Sequence, residues 1–191
     1  MNTSKRWKVA VGMLGIGLLG LGTGRAWAAN PVDATITVTP VATVDLAISP
    51  TTYAYGQLAV NTSSVTASAL TLTNNGSVDV TCTKQIATQS NPAGWTAADI
   101  AGTGTVGLDK YALYVATAAV RPVNGDFVVA SHLFNGTTAN ALDGLGGTQP
   151  TITTSGGALP NVAMWFRLDM PSSVTSQAGR EITVRFNGTA Q

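Results

Sequence analysis

Apolar side chains recur at every second position through much of this chain, and the longest run of that kind spans residues 33–50. The apolar members of the run share one parity: Ile36, Val38, Ala42, Val44, Leu46 and Ile48. A period of two is typical of a β-strand with one covered face. The run is about twice the length of an ordinary strand, and Pro40 interrupts its middle. It therefore predicts two strands in one phase, over residues 34–39 and 41–49, separated by a proline that cannot donate to a backbone ladder.

The start of the chain, residues 1–28, has the three parts of a secretory leader. A basic front precedes an apolar stretch over residues 9–21, and Ala26 and Ala28 then place small residues where a signal peptidase reads. The stretch is short and rich in glycine for a membrane span. We therefore expect cleavage after Ala28 and export of the remaining chain to the extracellular surface, with a retained membrane anchor as the alternative.

Removal of this leader leaves 163 residues of the 191 and reverses the sign of the net charge. Four of the ten basic residues lie in the leader and none of the nine acidic ones, so the remaining chain has six basic and nine acidic groups, a net charge of −3. Scattered charge of that sign is unfavourable for nucleic acid and for anionic membranes, so neither is expected as a partner. The remaining length predicts one domain over residues 41–191, preceded by an extension over residues 29–40.

Alternation between short turn signals continues beyond residue 50. The run over residues 68–87 contains Asn75-Gly76 between two alternating stretches, which predicts a β-hairpin. Other strands are predicted over residues 53–60, 110–120, 125–134, 161–170 and 180–188, with a short helix near residues 139–142. Long helical periodicity is absent, and the single cysteine permits no intrachain disulfide. These features predict an all-β chain folded as one antiparallel β-sandwich of the immunoglobulin-like or jelly-roll-like kind.

Residues suited to catalysis or metal binding are scarce. His132 is the only histidine, no G-x-S-x-G elbow is present, and one glutamate with eight dispersed aspartates is a weak basis for paired carboxylates. No clustered histidines or cysteines predict a zinc site. Cys82 shares its parity with Val78 and Val80, which favours a buried, inert thiol. We expect no enzyme activity, no metal and no cofactor.

Trp165 is an aromatic residue whose position is ambiguous, as are the positions of Tyr53 and Tyr55. Trp165 has the opposite parity to Val162, Met164 and its other apolar neighbours, so the strand has large side chains on both faces. Such a residue belongs to a covered core, to a subunit interface or to a sugar-stacking platform. Trp165 is therefore the candidate exposed aromatic for binding a cell-surface polysaccharide, although the covered core is the preferred interpretation.

The order of elements resembles a family of secreted fibre subunits. An Ala-x-Ala leader, a strand-forming start, the Leu72–Ser77 turn, an aromatic late strand and a final strand near the C-terminus are similar to bacterial extracellular fibre subunits of the TasA/camelysin type. The resemblance implies that the N-terminal segment of one subunit completes the sheet of the next, which is donor-strand complementation within a homopolymer. It also implies a surface filament or biofilm matrix as the product.

The residues alone favour the same hypothesis. A sheet edge with unpaired backbone groups accepts an added strand, and the segment before Pro40 has the alternation of a strand without an evident partner. The candidate donor strand and interface consists of Thr35, Ile36, Thr37, Val38, Thr39 and Pro40. We therefore expect a structural subunit whose partner is another copy of itself. A secreted carbohydrate-binding module is the competing class, and a hydrolase ranks last.

Overall fold

The computed structural model describes residue 35, residues 37–98 and residues 106–191. The leader and Ile36 lie outside the described residues. Residues 40–191 form one compact unit, and the chain divides immediately before Pro40. Within the described ranges no helix has the length and apolar character needed to cross a bilayer.

Strands are almost the only regular secondary structure in the described residues, so the prediction of an all-β chain is confirmed. Nine strands are present, with one 3-10 turn at Asn124–Asp126 and one short helix, α1, at Val129–His132. The strands are β1 Leu46–Ser49, β2 Ser63–Val65, β3 Leu70–Asn74, β4 Val80–Asn91, β5 Thr96–Ala97, β6 Lys110–Thr117, β7 Asn140–Ala141, β8 Asn161–Asp169 and β9 Glu181–Ala190. The strands predicted around residues 110–120, 161–170 and 180–188 are therefore present as β6, β8 and β9.

The strands form two sheets. The larger has the order β1-β3-β8-β6-β5, and β2 pairs with β8 beyond the end of β3. The smaller has the order β7-β4-β9. We expected every pair of strands to be antiparallel, but β5 runs parallel to β6. The N–H of Thr96 donates to the oxygen of Asp109 and the N–H of Ala98 to that of Tyr111, which is the slanted pattern of a parallel pair.

One hydrophobic core joins the two sheets, and a second lies against the opposite face of the larger sheet. Leu72, Val80 and Met164 are fully buried in the first core. Strand β6 supplies both, with Tyr111, Leu113 and Val115 in the first and Ala112, Tyr114 and Ala116 in the second. Its two covered faces explain why it reads as continuously apolar in sequence.

The hairpin predicted around Asn75-Gly76 is wrong, because β3 and β4 belong to different sheets. The polar groups of the turn bond elsewhere. The Asn74 Nδ2 donates to the carbonyl oxygens of Val78 and Ile152, and its Oδ1 accepts from the N–H of Gly76. The Val80 N–H donates to the Ile152 oxygen. The turn therefore carries the chain from one sheet to the other.

Residues 53–60 contain no strand, contrary to the prediction. Side chains rather than a backbone ladder hold this segment: the Tyr53 hydroxyl accepts the N–H of Ala67, and the rings of Tyr53 and Tyr55 meet edge to face at 5.0 Å. Gly56 has φ of 73°, a left-handed conformation that breaks an extended run. The alternation here shows which side chains pack inward. No neighbouring strand in the described structure pairs with the backbone of this segment.

Two further predictions are corrected in the segment between β6 and β8. Residues 125–134 form the 3-10 turn and α1 rather than a strand, because the Asp126 carboxylate accepts the N–H of Val123 and the His132 Nδ1 accepts that of Val128. The helix suggested near residues 139–142 is instead β7, whose Asn140 is paired with Lys84. Local side-chain hydrogen bonds override the β-branched composition at Val128 and Val129, and a tertiary pairing makes Asn140–Ala141 a strand.

Candidate functional site: an open strand edge

The N-terminal segment, defined as residues 35–40, is exposed wherever it is described. Thr35, Thr37, Thr39 and Pro40 are all exposed, and Val38 is 78% exposed. Large aliphatic side chains usually leave water on folding, so Val38 is an uncovered apolar group on a segment with strand alternation. Ile36, the other apolar member of the predicted donor strand, lies outside the described residues.

The strand predicted over residues 41–49 is present in its second half as β1, which pairs with β3. Backbone hydrogen bonds continue this pairing on the N-terminal side of β1. The N–H of Asn75 donates to the Asp45 oxygen, and that of Ser77 donates to the Thr43 oxygen. The Thr43 N–H donates in turn to the Ser77 Oγ. Val41 is 84% exposed. The attachment of the chain to this sheet therefore begins near Thr43.

Strand β9 pairs with β4 along one edge only, and in the described part of the chain no strand pairs with its other edge. Its partner Ile86 uses its own N–H for the Gly136 oxygen, and Cys82 uses its oxygen for the N–H of Leu142. Opposed residues in an antiparallel pair turn their backbone groups the same way, either towards each other or both outward. The N–H and C=O groups of Val184 and Gly188 therefore point to the free edge, as do those of Phe186 by alternation.

The inner face of β9 is incompletely covered. Ile182, Val184 and Phe186 point inward, but all three are only half-buried. Phe186 meets Phe134 and Phe166 at ring distances of 6.4 Å. Each inward side chain therefore contacts the main core on one side and retains solvent contact on the other. The free backbone groups and these half-covered side chains make up the open edge of β9.

The inner face of β9 is covered at one end by the start of the domain. A Cβ added at Gly188 would lie 2.9 Å from the Leu46 Cδ1 and 3.0 Å from the Val44 Cγ1. The start of the domain therefore packs directly on the last residues of β9, where only glycine fits without displacement.

Trp165 lies on β8 and is half-buried against the second core. Its Nε1 donates to the carbonyl oxygen of Ala118 at 3.0 Å. Every aromatic side chain in the described ranges is at least partly buried. The half-buried pair Tyr53–Tyr55 has its ring planes at 77°, so the two rings do not form a flat platform. This geometry does not bring Trp165 together with another exposed ring.

The side chains that could take part in catalysis or metal binding are buried or bonded to the backbone. His132 is fully buried, with its Nδ1 bonded to the Val128 N–H and its Nε2 2.9 Å from the Gly144 oxygen, which assigns the proton to Nε2. Cys82 is buried, as its parity predicted. Burial raises the pKa of its thiol to about 11, as expected for an inert cysteine. Among the described side chains no group of three or more metal-binding residues occurs.

Lys84 is the residue that sequence reasoning missed. Lys84 shares its parity with Val80 and Cys82, so the sequence could have predicted its inward position. The structure shows it fully buried. Its Nζ donates to the carbonyl oxygens of Ser131 and Ala141. Burial lowers the pKa of its amine to about 8, and the charge of Asp143 opposes that shift. Lys84 therefore ties the segment containing α1 and β7 to β4, on the side of β4 opposite β9.

Comparison with known proteins gives no relative from which to assign a role. No family model, no curated protein and no solved structure matches this chain. The free edge of β9 and the uncovered N-terminal segment are therefore the features on which a functional proposal has to rest.

Proposed function

We propose that this chain is a secreted structural subunit that assembles into an extracellular surface filament or matrix by β-strand addition between copies. The leader over residues 1–28 is removed, residues 29–40 form the donor extension, and residues 41–191 form a single sandwich domain. The order of elements, similar to that of TasA/camelysin-type subunits, is consistent with this role. The product is a homopolymer of the kind found at cell surfaces and in biofilm matrices.

The observation that carries the proposal is the contrast between the N-terminal segment and the body. The chain divides between Thr39 and Pro40, and the described residues before that point are exposed although they alternate like a strand. Proline at the division removes a backbone donor and ends any ladder there. A segment with a strand pattern, an uncovered Val38 and no ladder of its own among the described residues is suited to pair with another molecule.

Approximate energies support assembly driven by the apolar residues. Each backbone hydrogen bond gained contributes about 1 kcal/mol net. Full burial of Ile36 and Val38 would contribute roughly 1.5–3 kcal/mol each. Ordering a residue costs about 1–2 kcal/mol of backbone entropy, so hydrogen bonds alone only offset ordering. The two aliphatic side chains therefore decide whether the segment inserts.

The polysaccharide-binding alternative receives less support. It would require an exposed aromatic surface, and within the described ranges Trp165, Tyr53 and Tyr55 are all half-buried. The hydrogen bond from Trp165 to Ala118 fixes its ring against the second core. A small contact with a sugar through one ring edge would be weak compared with a stacked platform.

Deletion of residues 30–39 tests the proposed function. The truncated protein should fold and remain a monomer, because the body begins at Pro40, whereas the intact secreted protein should form filaments visible by electron microscopy. Circular dichroism and sedimentation velocity measure folding and mass in the same samples. Filaments from the truncated protein, or its failure to fold, would contradict donation by this segment.

A further inference from the structure

The free edges of the two sheets differ in length. Five described strands, β1, β2, β5, β7 and β9, each pair with another strand along one edge only. Strands β5 and β7 have two residues each, β2 has three and β1 has four. Strand β9 has ten residues. Only β9 offers a ladder long enough for the whole predicted donor strand of residues 34–39.

The side chains on this edge also match the donor. Residues on neighbouring strands of a sheet place their side chains on the same face when they are opposite each other. Ile36 and Val38, on one face of the donor, would therefore stand beside the half-buried Ile182, Val184 and Phe186 of β9. The threonine face of the donor would stand beside the exposed outer residues of β9, which include Thr183 and Asn187.

We propose that the open edge of β9 is the acceptor site and that residues 34–39 of a second copy occupy it. This assignment rests on the proposed function, since it names where the donated segment goes. Residues 29–39 of the processed chain precede the compact body and supply more than the length required.

The exposure of the donor makes it available to a second copy. Thr43 is bonded to the Asn75–Ser77 turn, and Val44 packs on Gly188 at the C-terminal end of β9, so the chain is attached to the domain from Thr43 onward. The described residues before Pro40 are exposed, and Val38 is 78% exposed. Insertion into a neighbouring copy would cover this side chain.

Disulfide trapping tests the acceptor in the full-length chain. The test variants carry Cys82→Ala and Thr37→Cys together with Thr183→Cys or Asn187→Cys on β9. The control carries Ala47→Cys on β1 instead, which is also exposed. All the introduced positions are exposed, so they should leave folding unchanged, and each set is repeated with Cys82 retained because that thiol is buried.

After mild oxidation of assembled protein, at least one β9 pair should give a ladder of disulfide-linked multimers on a non-reducing gel, and the control should remain monomeric. A ladder from the control alone would move the acceptor to β1. A cross-linked monomer from a β9 pair would overturn donation to a second copy. Normal filaments without a β9 cross-link would overturn this acceptor and leave the proposed function standing. Absence of filaments even with Cys82 retained and no other substitution would overturn the proposed function itself.

Discussion

Strands β4 and β9 are hydrogen-bonded neighbours with the same alternation of apolar and polar residues, yet their inner faces are covered very differently. On β4, Val80, Cys82, Lys84 and Ile86 are essentially without exposure, and β7 pairs with the strand on the side away from β9. On β9, every inward aliphatic or aromatic side chain is half-buried. The difference teaches that alternation reports the inward face of a strand but does not report how completely that face is covered. An assembly site is expected where alternation predicts an inward face but the side chains on that face are only half-buried.

The largest expected effect comes from removing the side chains proposed to cover β9. Ile36→Asp combined with Val38→Asp should abolish filament formation. Each substitution removes roughly 1.5–3 kcal/mol of favourable burial free energy and adds a charge that would have to be desolvated on insertion. Sedimentation velocity and electron microscopy measure the outcome. Thr35→Ser with Thr37→Ser is the matched control and should assemble normally. Filaments from the aspartate variant would break the link between this segment and β9.

The next effect concerns the attachment of Thr43 and Asp45 to the Asn75–Ser77 turn. A Cβ at Gly76 would meet the backbone oxygen of Thr43 and lie 2.9 Å from the Asp45 nitrogen. Backbone atoms cannot rotate away, so Gly76→Ala should displace the start of the domain and lower the free energy of unfolding by about 2–3 kcal/mol. Gly125→Ala is the control, because nothing lies within 4 Å of its added Cβ. Equal denaturation midpoints for the two variants would contradict this packing.

A pH dependence should distinguish the covered side of β4. The pKa of Lys84 is about 8 in the folded protein and 10.5 in its unperturbed state, so the unfolded chain binds more protons between those values. Stability should therefore rise by about 1 kcal/mol from pH 7 to pH 9, and Lys84→Met should remove that rise. Urea denaturation at several pH values measures it. Above pH 9 the comparison ends, because the raised pKa values of Cys82 and Tyr111 reduce stability there.

The smallest effect is a matched pair of methyl deletions on the two strands. Ile86→Val on β4 should destabilise the protein truncated before residue 40 by about 1 kcal/mol, and Ile182→Val on β9 by about 0.5 kcal/mol, because Ile182 is only half-buried. In the full-length protein, Ile182→Val should raise the concentration required for assembly more than Ile86→Val does. The reverse order in assembly would show that the edge of β9 is not covered on polymerisation.

Sequence reasoning predicted the inward residues better than the pairing of strands. It placed Met164 and Phe166 on one face of β8, identified Cys82 as buried, and predicted the strand that became β9. It failed at Asn75-Gly76, because alternation on both sides of a turn does not require the flanking strands to pair with each other. There the Asn74 side chain takes the bonds that a hairpin would make. The pairing that leaves one edge of β9 without a partner in the described structure is tertiary, so the acceptor edge could not be predicted from the sequence alone.

Amide hydrogen exchange at β9 tests the central proposal most directly. We expect the N–H groups of Val184, Phe186 and Gly188 to exchange rapidly in the protein lacking residues 30–39 and slowly in full-length filaments. The Ile86 N–H, bonded to the Gly136 oxygen, should be protected in both and serves as the internal reference. Equal exchange at the three β9 positions in the truncated protein and in the filaments would contradict strand addition at this edge.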